Sequence, residues 1–369
     1  MKLGILKEKR FKRIAVIPDT VPKLTELGLT VLVEKGAGEQ AFFPDAQYSE
    51  QGAQLLDRAD VLGQADLLIS IDPLDETAQE AAGPDTWLIS QFAPFNDPGV
   101  ADRLQQKGLR AFSLDMIPRT TLAQSMDILS SMASIAGYKA VLAAAHHLPR
   151  YFPMLITAAG SIRPARILVL GAGVAGLQAI ATARRLGAMV EAFDTRSAAK
   201  EEVKSLGAKF VEVEGAVEDS GAGGYAVEQS EEFLQRQRAE VQARAIKADV
   251  IITTAQVRGR KAPILVPAST VENMQPGSII VDLAASTGGN CELTQDQQII
   301  THRGVTIIGH SHLADDMPQD ASQLYSTNVF QFLKYILQDG EINLDLEDEI
   351  IGGAYLAPST TETQTEKED

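Results

Sequence analysis

The chain has 369 residues, 45% hydrophobic and 22% charged, with 49 Asp and Glu against 33 Lys and Arg, a formal net charge of −16. At roughly 100 to 200 residues per domain this length predicts two or three domains with full cores, and the ordinary composition excludes a fibrous, wholly disordered or disulfide-stapled chain. Net acidity without a basic run argues against nucleic acid and anionic membranes as partners, because phosphate binding needs clustered Lys and Arg. A single cysteine, Cys291, allows no internal disulfide, and the first residues show no signal peptide, so a cytoplasmic compartment is expected. No apolar run is read as approaching the roughly 18 to 20 residues needed to cross a bilayer.

In the first 118 residues, short apolar runs alternate with polar helical stretches. The expected strands are Leu3 to Leu6, Thr30 to Glu34, Asp66 to Ile71, Thr86 to Phe92 and Leu109 to Leu114. Helices are expected at Thr20 to Leu27, Tyr48 to Asp57 and Val100 to Lys107. From Thr120 to about Leu148 small and apolar residues recur at helical spacing with no Pro, which predicts a long helix or a pair of helices leading into a second domain. There the expected strands are Arg166 to Leu170, Met189 to Phe193, Lys209 to Val213, Val250 to Thr254, Ser278 to Leu283 and Val305 to Ile308, with a last helix at Gln319 to Gln338. The fold class is therefore α/β, with two Rossmann-like domains, mostly parallel sheets, long helices joining them and a cofactor in the cleft. The first is expected to be discontinuous (1–129 and 313–369) and the second continuous (130–312). The end of the chain, from about residue 357, is acidic, lacks an apolar pattern and is expected to be disordered.

The strongest local signal follows Ile167-Leu-Val-Leu170: Gly171-Ala-Gly173-Val174-Ala175-Gly176, then an apolar helical run. In such a fingerprint the first glycine makes the tight turn, the second admits a pyrophosphate to the backbone and the third lets helix pack on strand. Asp194, 18 residues after Gly176 and at the end of the next predicted strand, is placed to accept hydrogen bonds from ribose hydroxyls and to repel a 2′-phosphate. NAD(H) is thus favoured over NADP(H). Thr195 and Arg196 complete the expected contact set, although an Arg at this place can also meet a 2′-phosphate.

Two further features are weaker. The stretch Gly215 to Ala226, with Gly221, Gly223, Gly224 and Tyr225, is read as a mobile loop able to close over a nucleotide, a functionless insertion being the alternative. Pro118-Arg119 through Gln124, Asp127 and Ser130 places polar groups at the expected domain junction, with Asp127 and Ser130 on one helix face. The same residues also suit an ordinary helix N-terminus. No metal site is expected: His146 and His147 should point to different sides of a helix, and the sequence around His310 and His312 offers no Cys or carboxylate at ligand spacing. Ser/His/Asp hydrolase signatures and a GxxxxGK[ST] phosphate loop are missing as well.

Taken together, Arg119 to Tyr138, Met154-Leu-Ile-Thr-Ala-Ala-Gly160, Pro164 through the fingerprint to Ala188, Gly223-Gly-Tyr225, and Asp282-Leu-Ala with Gly288-Gly-Asn-Cys291 resemble the NAD(H)-binding portion of proton-translocating NAD(P) transhydrogenases. The likeness runs from Lys7-Glu8 to about Asp348, within a superfamily that includes alanine dehydrogenase. It implies an enzyme that moves a hydride directly between NADH and NADP⁺ held by a partner. It also implies a membrane-spanning subunit and an NADP(H)-binding beta subunit as partners, a homodimer, and peripheral attachment to the membrane through those partners. By the same resemblance Arg119, Gln124, Asp127 and Ser130 match the polar cluster around the nicotinamide, Gly171, Gly173, Gly176 and Asp194 the dinucleotide contacts, and Tyr225 the tyrosine of a mobile loop. Amino-acid dehydrogenases of the superfamily use a Lys and a His in the first domain. The corresponding strands here read Leu68-Ile-Ser70 and Leu88-Ile-Ser-Gln91, and lack both. The stretch Lys7 to Arg13 looks shorter than the family's loop. An NAD-dependent alanine dehydrogenase and a non-catalytic NAD(H) sensor are the alternatives.

Overall fold

The computed structural model describes residues 1–213 and 230–358. The Gly-rich stretch with Gly224 and Tyr225 and the end of the acidic tail lie outside the described residues. The chain divides into two compact units, Met1–Met132 with Met317–Asp369, and Ala133–Asp316.

The first unit holds a six-stranded, all-parallel sheet: β1 (Lys2–Ile5), β2 (Thr30–Glu34), β3 (Gln54–Leu56), β4 (Leu67–Ile69), β5 (Trp87–Ser90) and β6 (Arg110–Ser113) in the order β3-β2-β1-β4-β5-β6. Strands covered by helices on both faces are apolar throughout, and Leu67–Ile69 and Trp87–Ser90 are buried at every position. One side of the core is closed by the helix Pro318–Ile336, whose Tyr325, Val329, Phe332 and Leu333 are fully buried with Leu3, Ile5 and Phe112. Phe112 stacks on Trp87 at 5.2 Å and meets Phe332 edge-on at 5.5 Å. The edge strand β3 corrects the helix expected over Tyr48 to Asp57. The helix Asp45–Glu50 stops there, Gly52 takes φ +91°, and Gln54–Leu56 pairs with Leu32–Glu34.

The helix Ile128–His147 starts in the first unit and ends in the second. By length and apolar composition it is long enough to cross a membrane, which corrects the expectation that no segment is. Ile128, Ala140, Val141 and Ala144 of this helix are buried in the chain's own cores, and Ile135 is buried as well.

The second unit opens with an exposed hairpin, β7 (Leu155–Thr157) and β8 (Gly160–Ile162). Its sheet comprises β9 (Arg166–Leu170), β10 (Met189–Phe193), β11 (Lys209–Phe210), β12 (Val250–Thr253), β13 (Ile279–Asp282), β14 (Ile299–His302) and β15 (Val305–Ile308). The order is β11-β10-β9-β12-β13-β15-β14, parallel except for the edge strand β14. As in the first sheet, strand order reverses beside the first strand of the set, here between β9 and β12. In open α/β sheets ligands bind beyond the carboxyl ends of the strands at that point.

A dinucleotide fingerprint at the switch point of the second sheet

Strand β9 ends at Leu170, and the chain turns at Gly171 with φ +103°, a conformation that excludes ordinary side chains. The turn is packed from two directions. A Cβ at Gly171 would stand 2.4 Å from the Thr254 hydroxyl, and one at Gly176 would stand 1.9 Å from the Gly171 carbonyl oxygen. At Gly173, by contrast, a Cβ would meet nothing within 4 Å. The three glycines therefore divide as the fingerprint requires: Gly171 and Gly176 bring strand, turn and helix together, while Gly173 leaves open space over the backbone. The helix Val174–Arg185 begins there with no side-chain cap, and its first backbone bond is Leu177 N–H to the Gly173 carbonyl at 2.8 Å. The amides of Val174, Ala175 and Gly176 precede that bond and point out of the helix start, where an anion is stabilised. Val174 is exposed and Ala175 half-buried.

Asp194 follows β10 and is tied back to the turn, its Oδ2 accepting the Ala172 amide at 2.7 Å. Oδ1 accepts the Arg196 amide at 2.9 Å, and the Arg196 guanidinium adds Nε to Oδ1 and Nη2 to Oδ2, both at 3.0 Å. Burial alone would raise the Asp194 pKa. The donors from Arg196 and Ala172 outweigh it and hold the carboxyl below its usual range, so the group stays an ionised acceptor. Thr195, between them, is exposed.

Three further residues shape this site through tertiary contacts that local spacing does not announce. The Thr254 hydroxyl, at the end of β12, donates to the Gly171 carbonyl at 3.0 Å. Asn290, fully buried, accepts the Ala255 amide and donates to the carbonyls of Ala255 and Pro263, pinning the loop that carries Thr254. Gly137 lets the helix Ile128–His147 lie against the start of the fingerprint helix, since a Cβ there would be 2.1 Å from the Ala175 carbonyl. Asp282 anchors the same region, accepting from Thr253, Ala284, Cys291 and Thr294.

The polar segment Arg119–Ser130 lies in the first unit. Arg119 and Gln124 are exposed, Gln124 within a tight 3-10 turn, Leu122–Met126. The structure joins Asp127 and Ser130, but not on a shared helix face as expected. Asp127 has extended backbone just before Ile128 and caps the helix, accepting the Ser130 amide at 2.9 Å and the Ser130 hydroxyl at 2.6 Å. In the same unit the Ser70 and Ser90 hydroxyls stand 2.6 Å apart, one donating to the other and the second to the Asp72 carbonyl, while Gln91 donates to the buried Tyr325 hydroxyl at 3.3 Å. These are neutral groups, and the two serine hydroxyls are buried and hydrogen-bonded inside the protein. The rings of His146 and His147, expected to diverge, meet edge-to-face at 5.1 Å. Among the described residues no group of three His, Cys, Asp or Glu side chains is arranged to hold a metal.

Residues 4–136 match the alanine dehydrogenase/PNT N-terminal domain and residues 140–363 the alanine dehydrogenase/PNT C-terminal domain. The chain is 41% identical over 367 residues to the first portion of the NAD(P) transhydrogenase alpha subunit of Rhodospirillum rubrum, covering 96% of this chain and 95% of that protein. It is 30% identical over 297 residues to alanine dehydrogenase of Mycobacterium tuberculosis, covering 78% and 74%. The crystal structure of a transhydrogenase from Sinorhizobium meliloti superposes with a TM-score of 0.89 at 39% identity over 97% of this chain and 99% of that one. An L-alanine dehydrogenase superposes with 0.77 at 25% identity over 96% and 94%. The chain thus belongs to the alanine dehydrogenase/PNT family, and within it resembles these transhydrogenases more than these alanine dehydrogenases.

Proposed function

We propose that the protein is the NAD(H)-binding catalytic component of a proton-translocating NAD(P)⁺ transhydrogenase, active with a membrane-spanning subunit and an NADP(H)-binding beta subunit. On this reading it is a cytoplasmic homodimer held at the membrane through those partners. A dinucleotide suits the residues present. Gly173 leaves space for a pyrophosphate against the amides of Val174, Ala175 and Gly176, and Asp194 is held ionised beside the turn for a ribose. When bound, NADH supplies a hydride for NADP⁺ carried by the partner.

The chain's own residues then bind, orient and exclude water; no protein acid or base is required. Arg119 and Gln124 are assigned to fixing the nicotinamide carboxamide and pyrophosphate side, Asp127 and Ser130 to supporting that segment, and Tyr225 to closing the loop. The observation that carries transhydrogenation over amino-acid oxidation is the Ser70–Ser90–Gln91 network. An amino-acid dehydrogenase must dispose of a proton from its substrate, and Ser70 and Gln91, at the two positions where those dehydrogenases carry a Lys and a His, are neutral groups that cannot take it.

The test is Gln124→Asn, which shortens the amide's reach by one methylene. Because a misplacement of about 1 Å costs about 100-fold in rate, hydride transfer from NADH to an NADP⁺ analogue, measured with an NADP(H)-binding partner, should fall by roughly one to two orders of magnitude with NADH affinity little changed. An unchanged rate, or no transfer by the unmodified protein with its partner, would favour a binding protein that does not react. L-alanine-dependent NADH formation by the purified chain would favour a dehydrogenase.

A further inference from the structure

The carboxylate expected to receive the adenosine ribose is already saturated. A carboxylate offers about four lone-pair directions, and Asp194 fills four: the amides of Ala172 and Arg196, and Nε and Nη2 of the Arg196 guanidinium. A ribose diol brings two more donors. The two amides cannot leave, since the Ala172 amide belongs to the fingerprint turn and the Arg196 amide to the backbone turn after β10. The guanidinium can leave, because the Arg196 side chain is 41% exposed while that of Asp194 is 8% exposed.

We propose that Arg196 is a specificity-determining residue that occupies the ribose site of the free protein and is exchanged for the ribose diol when NAD(H) binds. This rests on the NAD(H) reading given above. The exchange conserves the number of hydrogen bonds to Asp194: two from the guanidinium are replaced by two from the 2′- and 3′-hydroxyls, and the guanidinium passes to water. A nucleotide with a 2′-phosphate has only the 3′-hydroxyl to offer and brings negative charge against Asp194, so it displaces the guanidinium poorly. The released Arg196 then partly offsets that repulsion by pairing with the phosphate. Arg196 thus opposes NADH and moderates the rejection of NADPH.

The experiment is titration of the unmodified protein, Arg196→Met and Arg196→Gln with NADH, NADPH, ADP-ribose and reduced nicotinamide mononucleotide at pH 8, each variant checked for an unchanged melting transition. A partly exposed ion pair is worth little, so removing the competitor should tighten NADH and ADP-ribose roughly two- to fivefold. NADPH should weaken, and the mononucleotide, which lacks the adenosine ribose, should be unaffected. Weaker or unchanged NADH binding by both folded variants would overturn the exchange, as would an equal gain for the mononucleotide, which would reduce the effect to general charge. If the unmodified protein binds none of the four, the NAD(H) reading itself fails, whatever the variants do.

Discussion

The Thr254 hydroxyl, at the carboxyl end of β12, donates to the carbonyl of Gly171, in the turn after β9, across 83 residues of sequence. It is a cross-brace between the two strands that flank the switch point. Thr254→Val keeps the shape and deletes the bond, so it should cost about 1 kcal/mol of stability and weaken NADH binding, whereas Thr254→Ser should retain both. Nucleotide titration beside thermal melts checks this, and a Val variant that binds like the unmodified protein would show that the brace does not set the turn.

The fingerprint glycines should separate binding from folding. Gly176→Ala puts a methyl group into the Gly171 carbonyl and should cost on the order of 1 to 3 kcal/mol of stability along with nucleotide binding. Gly173→Ala meets open space with an ordinary backbone conformation, φ −75°. Its melting temperature should hardly move, while NADH affinity drops because the methyl stands where the phosphate is expected. Equal affinity in the Gly173 variant would remove the phosphate from that position.

Glu8 carries a pH signature. It is buried beside the carboxyl ends of β1 and β4, accepting the amides of Ile71 at 2.6 Å and Asp72 at 3.2 Å. Burial pushes its pKa up to about 7, against the lowering effect of those amides. The folded state therefore holds this proton where the unfolded chain, titrating near 4.5, has released it. The stabilisation is complete below about 4.5 and is lost as pH rises toward 7. For one group the slope is at most about 1.4 kcal/mol per pH unit. Denaturant melts should show the unmodified protein losing stability relative to Glu8→Gln between pH 5 and 7. Parallel pH profiles for the two would assign the proton elsewhere.

Cys291 should be inert. It is fully buried, and burial raises its thiol pKa to about 11, so almost no thiolate exists at pH 8. Alkylation by iodoacetamide should be negligible in the native protein and complete in denaturant. Ready labelling of the native form would show that the segment around Asp282 opens.

What the sequence disclosed is what local chemistry encodes. Arg166–Leu170, Met189–Phe193 and Val305–Ile308 are largely apolar runs between turn residues, and the strands keep those limits. The glycines and Asp194 are legible because a phosphate-binding turn needs special residues at fixed offsets. β3 and β14 were not legible: edge strands of three and four residues, Gln54–Leu56 and Ile299–His302, have too little pattern to outweigh helix or loop. Thr254 and Gly137 reach the fingerprint, and Asn290 the loop that carries Thr254, only across the fold, from positions far from it in sequence. The Arg196 fork on Asp194 could be suspected from the two-residue separation. That it fills the carboxylate needs the rotamer.

The helix Pro318–Ile336 has a consequence for biosynthesis. Tyr325, Val329, Phe332 and Leu333 belong to the core of the first unit, yet they are translated after every residue of the second. A nascent chain ending near residue 316 has a full set of parts for the later unit and an open apolar face on the earlier one. The region made first must wait, partly formed, until the region made second has left the ribosome, so the order of completion reverses the order of synthesis. During that interval the exposed face of β1 and its neighbours is the surface through which a stalled or truncated chain would aggregate or engage a chaperone.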